Sequence, residues 1–556
     1  MRHPTISSDY ETIRLKWPSW LPKICPHCQS SIKYRYADNG KLVHTLTGVI
    51  NQIITYYVCT NENCPYFHQP FCPFPRYDYG ERSYGADVFR EIAEELLLYR
   101  SSIESIYLKL TTRYTLKISK RTVSRICDDI LNLKAYQIDQ NTKSMLEENP
   151  CIVLGIDGQD PGKNGKSLWL FMDLLTNRVI FTRVVDSINH VILHGMIEQI
   201  KAEYDVEILG FVSDKQNLLV KCCAMFYEDI PHQFCQYHFR RNTWNHLEML
   251  DSNIFLPLKK ILSKLYIHTA NATVTVHFEG LGNRSVREVF APIDQDFQKM
   301  LKMRNKTFKQ LRGLWLYQTV KKYIQGMQLQ AKKMDPSLRI TIIFKRTYEV
   351  ISAKLEKLTP FYTELVTIYP FFGEITEILN QTELKGIEQQ VLLDEVYKRV
   401  WSQAQHLGLE KDLENLRSFL PKKNTKACEV LGEWCRLWQS YRTGLFQYEK
   451  FPQQLRTNNP CEQGFGKQKQ AIYRRSAKKE VGYMVETRGE AYLRITHCTT
   501  EELKNDICQE YSLALMQTLR EKQQERIVSR TKLWRTASAA YLGYETLLKM
   551  SLMPIS

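Results

Sequence analysis

The sequence has no apolar run that approaches the roughly 20 residues needed to cross a bilayer as a helix, which argues against a membrane span. Its first residues, MRHPTISSDYETIRLKW, lack the apolar core of a secretory signal peptide, which argues against secretion. No internal repeat or low-complexity tract occurs. The 15 cysteines form an odd set spread along the chain, and free buried thiols with a metal site explain them better than a disulfide framework.

Positive charge is what the chain has in excess. It contains 76 Lys and Arg against 60 Asp and Glu, which gives a formal net charge of +16. Such a surplus attracts polyanions, of which nucleic acid is the commonest, although a generic basic surface has the same composition. The 556 residues indicate about three or four domains, and a hydrophobic fraction of 43% is ordinary for proteins with large cores.

Two close cysteine pairs stand near the N-terminus, Cys25 with Cys28 and Cys59 with Cys64. The intervening LVHTLTGVINQIITYYV has the alternation and β-branched content of strands. Two pairs on tight turns joined by a β-hairpin place four thiolates tetrahedrally, so we expect a zinc ribbon with a structural Zn²⁺. His68 or Cys72 could replace a ligand or extend the site, and four unrelated buried cysteines are the alternative.

Between Gly85 and Gln137 the hydrophobic period becomes helical. Two apolar stripes lead to a segment in which Ser119 caps a helix with an apolar face. Basic and hydroxyl residues stand at the front of that helix, an arrangement typical of a helix-turn-helix that reads DNA. An ordinary three-helix packing unit is the alternative. The stripes are Val88, Phe89, Ile92, Leu96 and Tyr99, then Ile103, Ile106, Tyr107 and Leu110; the helix face is Val123, Ile126 and Ile130, and the candidate DNA contacts are Lys120, Arg121, Thr122, Ser124 and Arg125.

From Pro150 the pattern predicts three strands, a helix, a fourth strand, a second helix and a short strand. The predicted elements are CIVLGID, SLWLFMDLL, RVIFTRVVD, HVILHGMIEQIKAEYD, EILGFVSD, NLLVKCCAMFYED and HQFCQYH, with a turn at Thr176-Asn177. Three antiparallel strands followed by α/β units is the order of the ribonuclease-H-like fold. In that fold the first and fourth strands are neighbours, so we expect Asp157 and Asp214 to lie side by side.

A third acid, Glu462, heads a basic, helix-compatible segment. Three carboxylates of this kind can hold two Mg²⁺ (or Mn²⁺) ions, which take oxygen ligands and promote in-line phosphoryl transfer. An Asp at a strand end is more often a turn or cap residue. Asp160 and Asp173 are alternatives for the first acid, and Glu480, Glu486 and Glu490 for the third.

Two motifs carry a family resemblance. The first motif is Asp214, then Leu218 or Leu219, then Pro231, followed by a Q-x-C-x-x-H-x-x-x-N pattern at Gln233, Cys235, His238 and Asn242. R-T-N-N-x-x-E follows at Arg456 to Glu462. These motifs resemble the DDE transposases of the Mutator-like type and their bacterial insertion-sequence relatives, which carry a C/D-x-x-H signature after the second acid.

The resemblance implies that Asp157, Asp214 and Glu462 form the catalytic triad. His238 approaches the scissile phosphate or is a buried structural histidine, and Cys235 with His238 can also be interpreted as half of a zinc site. The expected DNA contacts near these motifs are Arg240, Arg241, Lys467, Lys469, Arg474 and Arg475.

More than two hundred residues separate His238 from Glu462, and most have helical spacing. An all-α insertion at this point also occurs in the transposases that the chain resembles. Trp315, Trp434 and Trp438 are candidates for stacking on a DNA base, with a place in the core as the commoner role of such residues. The basic, amphipathic tail is either a solvated helix or a surface for DNA contact or dimerisation.

The expected architecture is a multidomain α+β protein. Its expected parts are a zinc-ribbon domain (1–80), a helix-turn-helix domain (81–149), a first part of a ribonuclease-H-like core (150–245), an all-α insertion (246–450), a second part of the core with the third acid (451–500) and a basic helical tail (501–556).

The expected function is a DNA transposase that binds its element's ends, cleaves them and joins them to target DNA. Double-stranded DNA is the expected partner, in a homodimer or larger oligomer. We expect a nucleoid-associated cytoplasmic protein in a prokaryote and a nuclear one in a eukaryote. The alternatives are a domesticated, non-catalytic DNA-binding regulator and a ribonuclease-H-like nuclease.

Overall fold

The protein is an α+β chain, and its structure is a computed structural model in which two compact units divide the residues. Unit 1 comprises Met1–Ile208 and Pro460–Ser556, and unit 2 comprises Leu209–Asn459. No helix in the described part of the chain is both long and apolar enough to cross a membrane. The described residues are 10–72, 76–79, 83–160, 166–269, 275–278, 282–285, 288, 311–332, 336–337, 339–407, 409–410, 420–421, 426–476, 482–504, 515 and 517–521.

The N-terminal part of unit 1 is a sheet built around one long strand. Its strands are β1 (Glu11–Leu15), β2 (Ile32–Ala37), β3 (Lys41–Thr45) and β4 (Gly48–Cys59). The first half of β4 pairs with β1 in parallel and with β3 antiparallel, and its second half pairs with β2 antiparallel. The strands expected between the two cysteine pairs are therefore present as β3 and β4.

Three helices follow: α1 (Ala86–Leu97), α2 (Ile103–Thr112) and α3 (Lys120–Glu148). Ser119 caps α3 as expected, because its hydroxyl accepts a hydrogen bond from Thr122 N at 3.1 Å. One expectation is wrong: Tyr99 does not continue the apolar stripe of α1 and is 70% exposed. The helix ends at Leu97, and Arg100 adopts a left-handed φ of 53°, so the period is broken before Tyr99. The other apolar positions of that stripe and of the α3 face are buried, namely Val88, Phe89, Ile92, Leu96, Val123, Ile126 and Ile130.

A five-stranded sheet has the order β7-β6-β5-β8-β9. Its strands are β5 (Cys151–Gln159), β6 (Ser167–Asp173), β7 (Arg178–Val185), β8 (Glu207–Ser213) and β9 (His232–Phe234). The first three are antiparallel, and β9 is parallel to β8. The first and fourth strands are neighbours as expected, and at the start of β8 the N–H of Glu207 donates to Pro150 O at 2.9 Å.

The helices around this sheet match the expected positions. They are α4 (His190–Tyr204), which precedes β8, and α5 (Asn217–Phe226), which connects β8 to β9. The turn between β6 and β7 forms at Thr176-Asn177, where Asn177 has a left-handed φ of 56° that asparagine tolerates well.

The rest of unit 2 is mainly helical, as expected for the insertion. Its helices are α6 (Gln236–Thr269), α7 (Arg312–Lys332), α8 (Arg339–Asn380), α9 (Gly386–His406) and α10 (Lys426–Tyr441). Two short hairpins join them, β10 (Thr275–Phe278) with β11 (Gly282–Ser285) and β12 (Leu409–Glu410) with β13 (Leu420–Pro421). These hairpins are exceptions to the helical spacing of this part of the sequence, and residues 286–287 and 289–310 lie outside the described residues.

Trp434 and Trp438 belong to the core, because their side chains are buried at 0% and 1% exposure. Trp438 Nε1 also donates to Asp394 Oδ1 at 3.1 Å, which satisfies its indole N–H. The alternative role of base stacking is therefore wrong for these two residues. Trp315 differs from them, since it remains 43% exposed on α7.

The chain finishes in unit 1 with α11 (Asn459–Ser476, whose first residue belongs to unit 2), α12 (Gly482–Thr496) and α13 (Thr500–Lys504). Helix α12 packs on α3 and on strands β6 and β7. Most of the expected tail, 505–514 and 522–556, lies outside the described residues.

Candidate functional site

The four N-terminal cysteines meet at one point. The Sγ atoms of Cys25, Cys28, Cys59 and Cys64 all lie within 4.8 Å of one another, which allows them to bind one metal ion such as zinc. Cys25 and Cys28 lie on a tight turn in which Gln29 N donates to Cys25 O at 3.0 Å. Cys59 ends β4, so the long strand delivers the second pair to the first.

The thiols of this cluster differ in acidity. Hydrogen bonds from Ser30 lower the pKa of Cys28 to about 6, whereas burial raises the pKa of Cys64 to about 12 and also raises that of Cys59. A bound cation would offset the penalty of ionising buried thiols. The donor set therefore fits a soft or borderline ion, and no carboxylate belongs to it.

His68 and Cys72, the possible additional ligands, are not part of the four-cysteine group among the described residues. His68 is exposed and its ring packs against Phe67. A residue that the sequence reasoning missed is His27, whose Nδ1 lies 3.8 Å from Cys64 Sγ. Its position between Cys25 and Cys28 is the sequence feature that could have indicated its place beside the cluster.

The front of α3 presents the expected polar residues. Lys120, Arg121 and Arg125 are exposed, and Thr122 and Ser124 are partly exposed. Lys120 forms an ion pair with Glu104 of α2. Exposed cations at the start of a helix can contact phosphates, so this surface has the character that DNA contact requires.

The second acid, Asp214, directly follows the last residue of β8. Gln216 Nε2 donates to its Oδ2 at 2.9 Å, which orients the carboxylate. Lys215 lies beside it, with Nζ 5.2 Å from the centroid of the Tyr441 ring, and burial lowers the pKa of this lysine.

A chain of partly buried hydrogen bonds supports the backbone at this acid. Ser213 Oγ donates to Asp214 O at 2.8 Å and lies 2.7 Å from His232 Nε2. Because the hydroxyl has a single proton, His232 must donate to it from Nε2. Burial lowers the pKa of His232 to about 4, which keeps the ring neutral at pH 7. Sequence reasoning missed both residues.

The Q-x-C-x-x-H and R-T-N-N motifs are hydrogen-bonded to each other inside unit 2. Asn458 N donates to Cys235 Sγ at 3.3 Å, and Gln236 N donates to Arg456 O at 3.0 Å. Cys235 and Asn458 are both fully buried. The C-x-x-H segment therefore holds the R-T-N-N segment in place immediately before the start of α11.

Gln233 strengthens this junction. Its Oε1 accepts from Tyr448 N at 2.9 Å, and its Nε2 donates to Leu445 O at 2.7 Å, so a fully buried amide is satisfied at both ends. The Arg456 guanidinium stacks on the Tyr448 ring, with Cζ 4.4 Å from the centroid. Gln233, Cys235 and Arg456 therefore each contact the segment that leads to α11.

The other signature residues lie on the first turns of α6. His238 is partly buried and its ring contacts that of Tyr237 edge-on. Arg240 Nη1 donates to Asn380 Oδ1 at 2.9 Å, Arg241 is exposed, and Asn242 Nδ2 donates to Tyr441 OH at 3.4 Å. Cys235 and His238 are in no metal-binding group among the residues that the structure describes, which leaves Cys235 the structural role given above.

The first and third acids lie in unit 1. Asp157 is 9% exposed in β5, and its Oδ1 accepts from Gly158 N at 2.9 Å. Glu462 is partly exposed in the first turn of α11, where the helix dipole favours a carboxylate. The strand containing Asp157 extends two residues beyond it, to Gln159.

Asp173 is a structural residue and not a candidate first acid. Its Oδ1 accepts from Val153 N at 3.2 Å and Leu175 N at 3.1 Å, and its Oδ2 accepts from Thr176 Oγ1 at 2.5 Å. Its side chain thereby closes the turn after β6. Asp160 is exposed, and among the alternatives for the third acid Glu490 is buried and accepts from Val184 N at 3.0 Å. Glu486 is buried as well, and Glu480 lies outside the described residues.

Of the basic residues after Glu462, Lys467, Lys469 and Arg474 are exposed. Arg475 departs from the expectation of DNA contact, because its side chain is 2% exposed and its Nη2 donates to Asp128 of α3 at 2.8 Å. A buried, ion-paired guanidinium cannot reach a phosphate at the surface.

Comparison with known proteins adds no relative: neither a scan against protein families nor a search of curated proteins finds a match to this chain.

Proposed function

We propose that the chain is a DDE transposase with a zinc ribbon, a helix-turn-helix and a ribonuclease-H-like catalytic core. The observation that carries the proposal is the pair of hydrogen bonds between the Cys235 and Asn458 segments. Two motifs that were joined only by a family resemblance are in physical contact, although the bonded residues are 223 positions apart in the sequence. A chance match of two short patterns would not require such contact.

The strand order also supports the proposal. A sheet of three antiparallel strands followed by β8 beside β5 is the arrangement expected for a ribonuclease-H-like core. Asp157 belongs to β5, Asp214 follows β8, and Glu462 begins α11. The helical insertion lies between the second and third acids, as in the transposases that the chain resembles.

The donor set suits the proposed chemistry. The resemblance assigns Asp157, Asp214 and Glu462 as the ligands of the two catalytic ions, and their carboxylate oxygens are of the type that Mg²⁺ and Mn²⁺ prefer. When bound, such ions activate the attacking oxygen and neutralise charge on the phosphoryl group. The chain's own contribution is to hold the acids: Gln216 orients the Asp214 carboxylate, Ser213 and His232 fix its backbone, and Cys235 secures the segment before Glu462.

Asp214→Asn tests the proposal directly. The full chain is incubated with Mg²⁺ and duplex DNA taken from the two flanks of its coding region, and cleavage and strand transfer are measured on gels. The wild type should cleave and join the ends, and Asp214→Asn should bind DNA but lose at least about a thousandfold in cleavage. Asp160→Asn is the matched control, since it removes an exposed acid and should cleave normally.

Cleavage that persists in Asp214→Asn contradicts the proposal. Cleavage by the wild type without strand transfer of a pre-cut end favours the nuclease, and DNA binding without any cleavage favours the regulator.

A further inference from the structure

We propose that the edge of the zinc module binds unpaired DNA by stacking, through a surface that we name the aromatic edge and define as Lys33, Tyr34, Arg35, Tyr36 and Tyr56. The inference rests on the proposed function, because it assigns the DNA that this module meets. It concerns residues that the expected DNA-reading helix and the catalytic motifs do not include.

Strand β2 supplies most of the aromatic edge. After Ile32 every residue of the strand is exposed, including Tyr34 at 62% and Tyr36 at 46%. Tyr36 stacks on Tyr56 of β4, with ring centroids 4.8 Å apart and an interplanar angle of 27°. Large, exposed rings on a strand offer a platform on which bases can stack.

The pairing register of β2 with β4 shows which side chains lie on each face of the sheet. Lys33 pairs with Val58 and Tyr36 with Tyr56, which puts Lys33 on the same face as the stacked tyrosines. Tyr34 pairs with Tyr57 on the face that covers the cysteine cluster. A bulge at Arg35 separates the two tyrosines, so rings are exposed on both sides of the edge.

The charges identify a polyanion as the occupant. Lys33 and Arg35 are exposed and form no ion pair with any residue that the structure describes. Lys23 is a third exposed cation. Its carbonyl accepts a hydrogen bond from Ile32 N at 3.1 Å, which places Lys23 beside the start of β2. The net charge of +16 points the same way.

The same features argue against a protein strand as the partner. Cations and a bulge on an edge strand are the devices that prevent strand addition. Duplex DNA hides the faces of its bases, whereas a single strand exposes them to aromatic rings. Single-stranded DNA is therefore the occupant that uses both the rings and the cations, and a transposase meets such strands at opened element ends.

The test is fluorescence anisotropy of a labelled thymidine oligonucleotide and of a duplex of equal length, with the zinc-loaded full chain. Tyr34→Leu/Tyr36→Leu should weaken single-strand binding by at least about tenfold and leave duplex binding within about twofold. Tyr34→Phe/Tyr36→Phe retains the rings and should bind like the wild type. Tyr99→Leu is the matched control, because Tyr99 is also exposed, at 70%, but lies outside the aromatic edge.

Zinc content and thermal unfolding show whether each variant is folded. If the Leu pair does not fold, the Phe pair, which retains both rings, can still be compared with the wild type. Unchanged single-strand binding in the Leu pair overturns the inference. So does an equal loss on duplex, a changed oligomeric state without loss of binding, or tighter binding of the matching RNA. Asp214→Asn should bind the single strand normally, so failure of the catalytic proposal and failure of this one are distinguishable.

Discussion

Asn458 N donates a hydrogen bond to Cys235 Sγ at 3.3 Å, and both residues are fully buried. A buried backbone N–H that loses its acceptor destabilises a protein by about 1–3 kcal/mol. The bond therefore contributes to the stability of unit 2 and also holds the segment that directly precedes α11, the helix that contains Glu462.

Cys235→Ala removes this acceptor and should lower both the thermal midpoint and the cleavage rate, while DNA binding persists. Cys235→Ser keeps a polar acceptor and should lie between the alanine variant and the wild type. Thermal unfolding and single-turnover cleavage give the two readouts. Cys222→Ala is the control, because it removes a buried thiol without removing the bond to Asn458. Identical behaviour of Cys235→Ala and Cys235→Ser would count against the role of Cys235 as the acceptor of this bond.

Removal of the zinc ion that we propose for the four-cysteine group should unfold the N-terminal sheet. The cluster joins the turn at Cys25 to the end of β4, and structural zinc sites contribute several kcal/mol to folding. Cys59→Ser should lose one equivalent of zinc and become sensitive to protease, whereas Cys72→Ser should keep it, because Cys72 lies outside the four-cysteine group. Metal content by mass spectrometry checks this, and zinc retained by Cys59→Ser would refute the site.

Stability should fall as the pH drops from about 6.5 to about 4. Burial lowers the pKa of His232 from its ordinary value of 6.5 to about 4, so the unfolded chain binds a proton that the folded chain does not. The contribution is fully present above pH 6.5 and is lost below it, on the order of 3 kcal/mol at about 1.4 kcal/mol per pH unit. His497, whose pKa burial also lowers to about 4, acts in the same direction.

Urea unfolding between pH 4 and pH 8 measures this dependence. His232→Gln should flatten the pH profile in that range, and it should slow cleavage at pH 7 because the support of Ser213 changes. His497→Gln should flatten the profile by a similar amount without that effect on Ser213. A profile that is as steep in His232→Gln as in the wild type would contradict the assignment.

Arg475 and Arg474 should respond in opposite ways to substitution. Arg475→Ala removes one partner of Asp128 from a buried network in which Arg488 remains paired with Asp128, so the free energy of unfolding should fall by about 1–3 kcal/mol. Arg474 is exposed, and Arg474→Ala should leave stability unchanged and weaken DNA binding with a reduced salt dependence. Thermal unfolding and binding at several salt concentrations distinguish the two, and reversed results would restore Arg475 as a DNA contact.

The elements of the sheet were predictable because their signals are local. β-branched runs and the Thr176-Asn177 turn lie within a few residues of one another, and β5 to β9 occur where these patterns place them. Tyr99 was mispredicted for a related reason: its spacing continues the stripe of α1, but the helix ends two residues earlier.

The long-range contacts of the candidate site were not predictable from one sequence. Arg475 has the composition of a DNA contact, and only the approach of Asp128 from α3 makes it an interior residue. His232 supports Ser213 because β9 is parallel to β8 in one particular register, a relationship that no spacing in the sequence specifies. Cys235 was recognised as a signature, but its partner Asn458 could be identified only in three dimensions.

Helix α3 begins with exposed basic residues, and further along it forms ion pairs from Asp128 to Arg475 and Arg488 and from Asp139 to Arg494. A segment ending at residue 149 would therefore carry acids whose partners lie more than three hundred residues further on. The helices at 86–148 are consequently not independent of the rest of unit 1. Moving them into another protein, or exchanging them for other helices, would require the matching arginines of α11 and α12 to move with them.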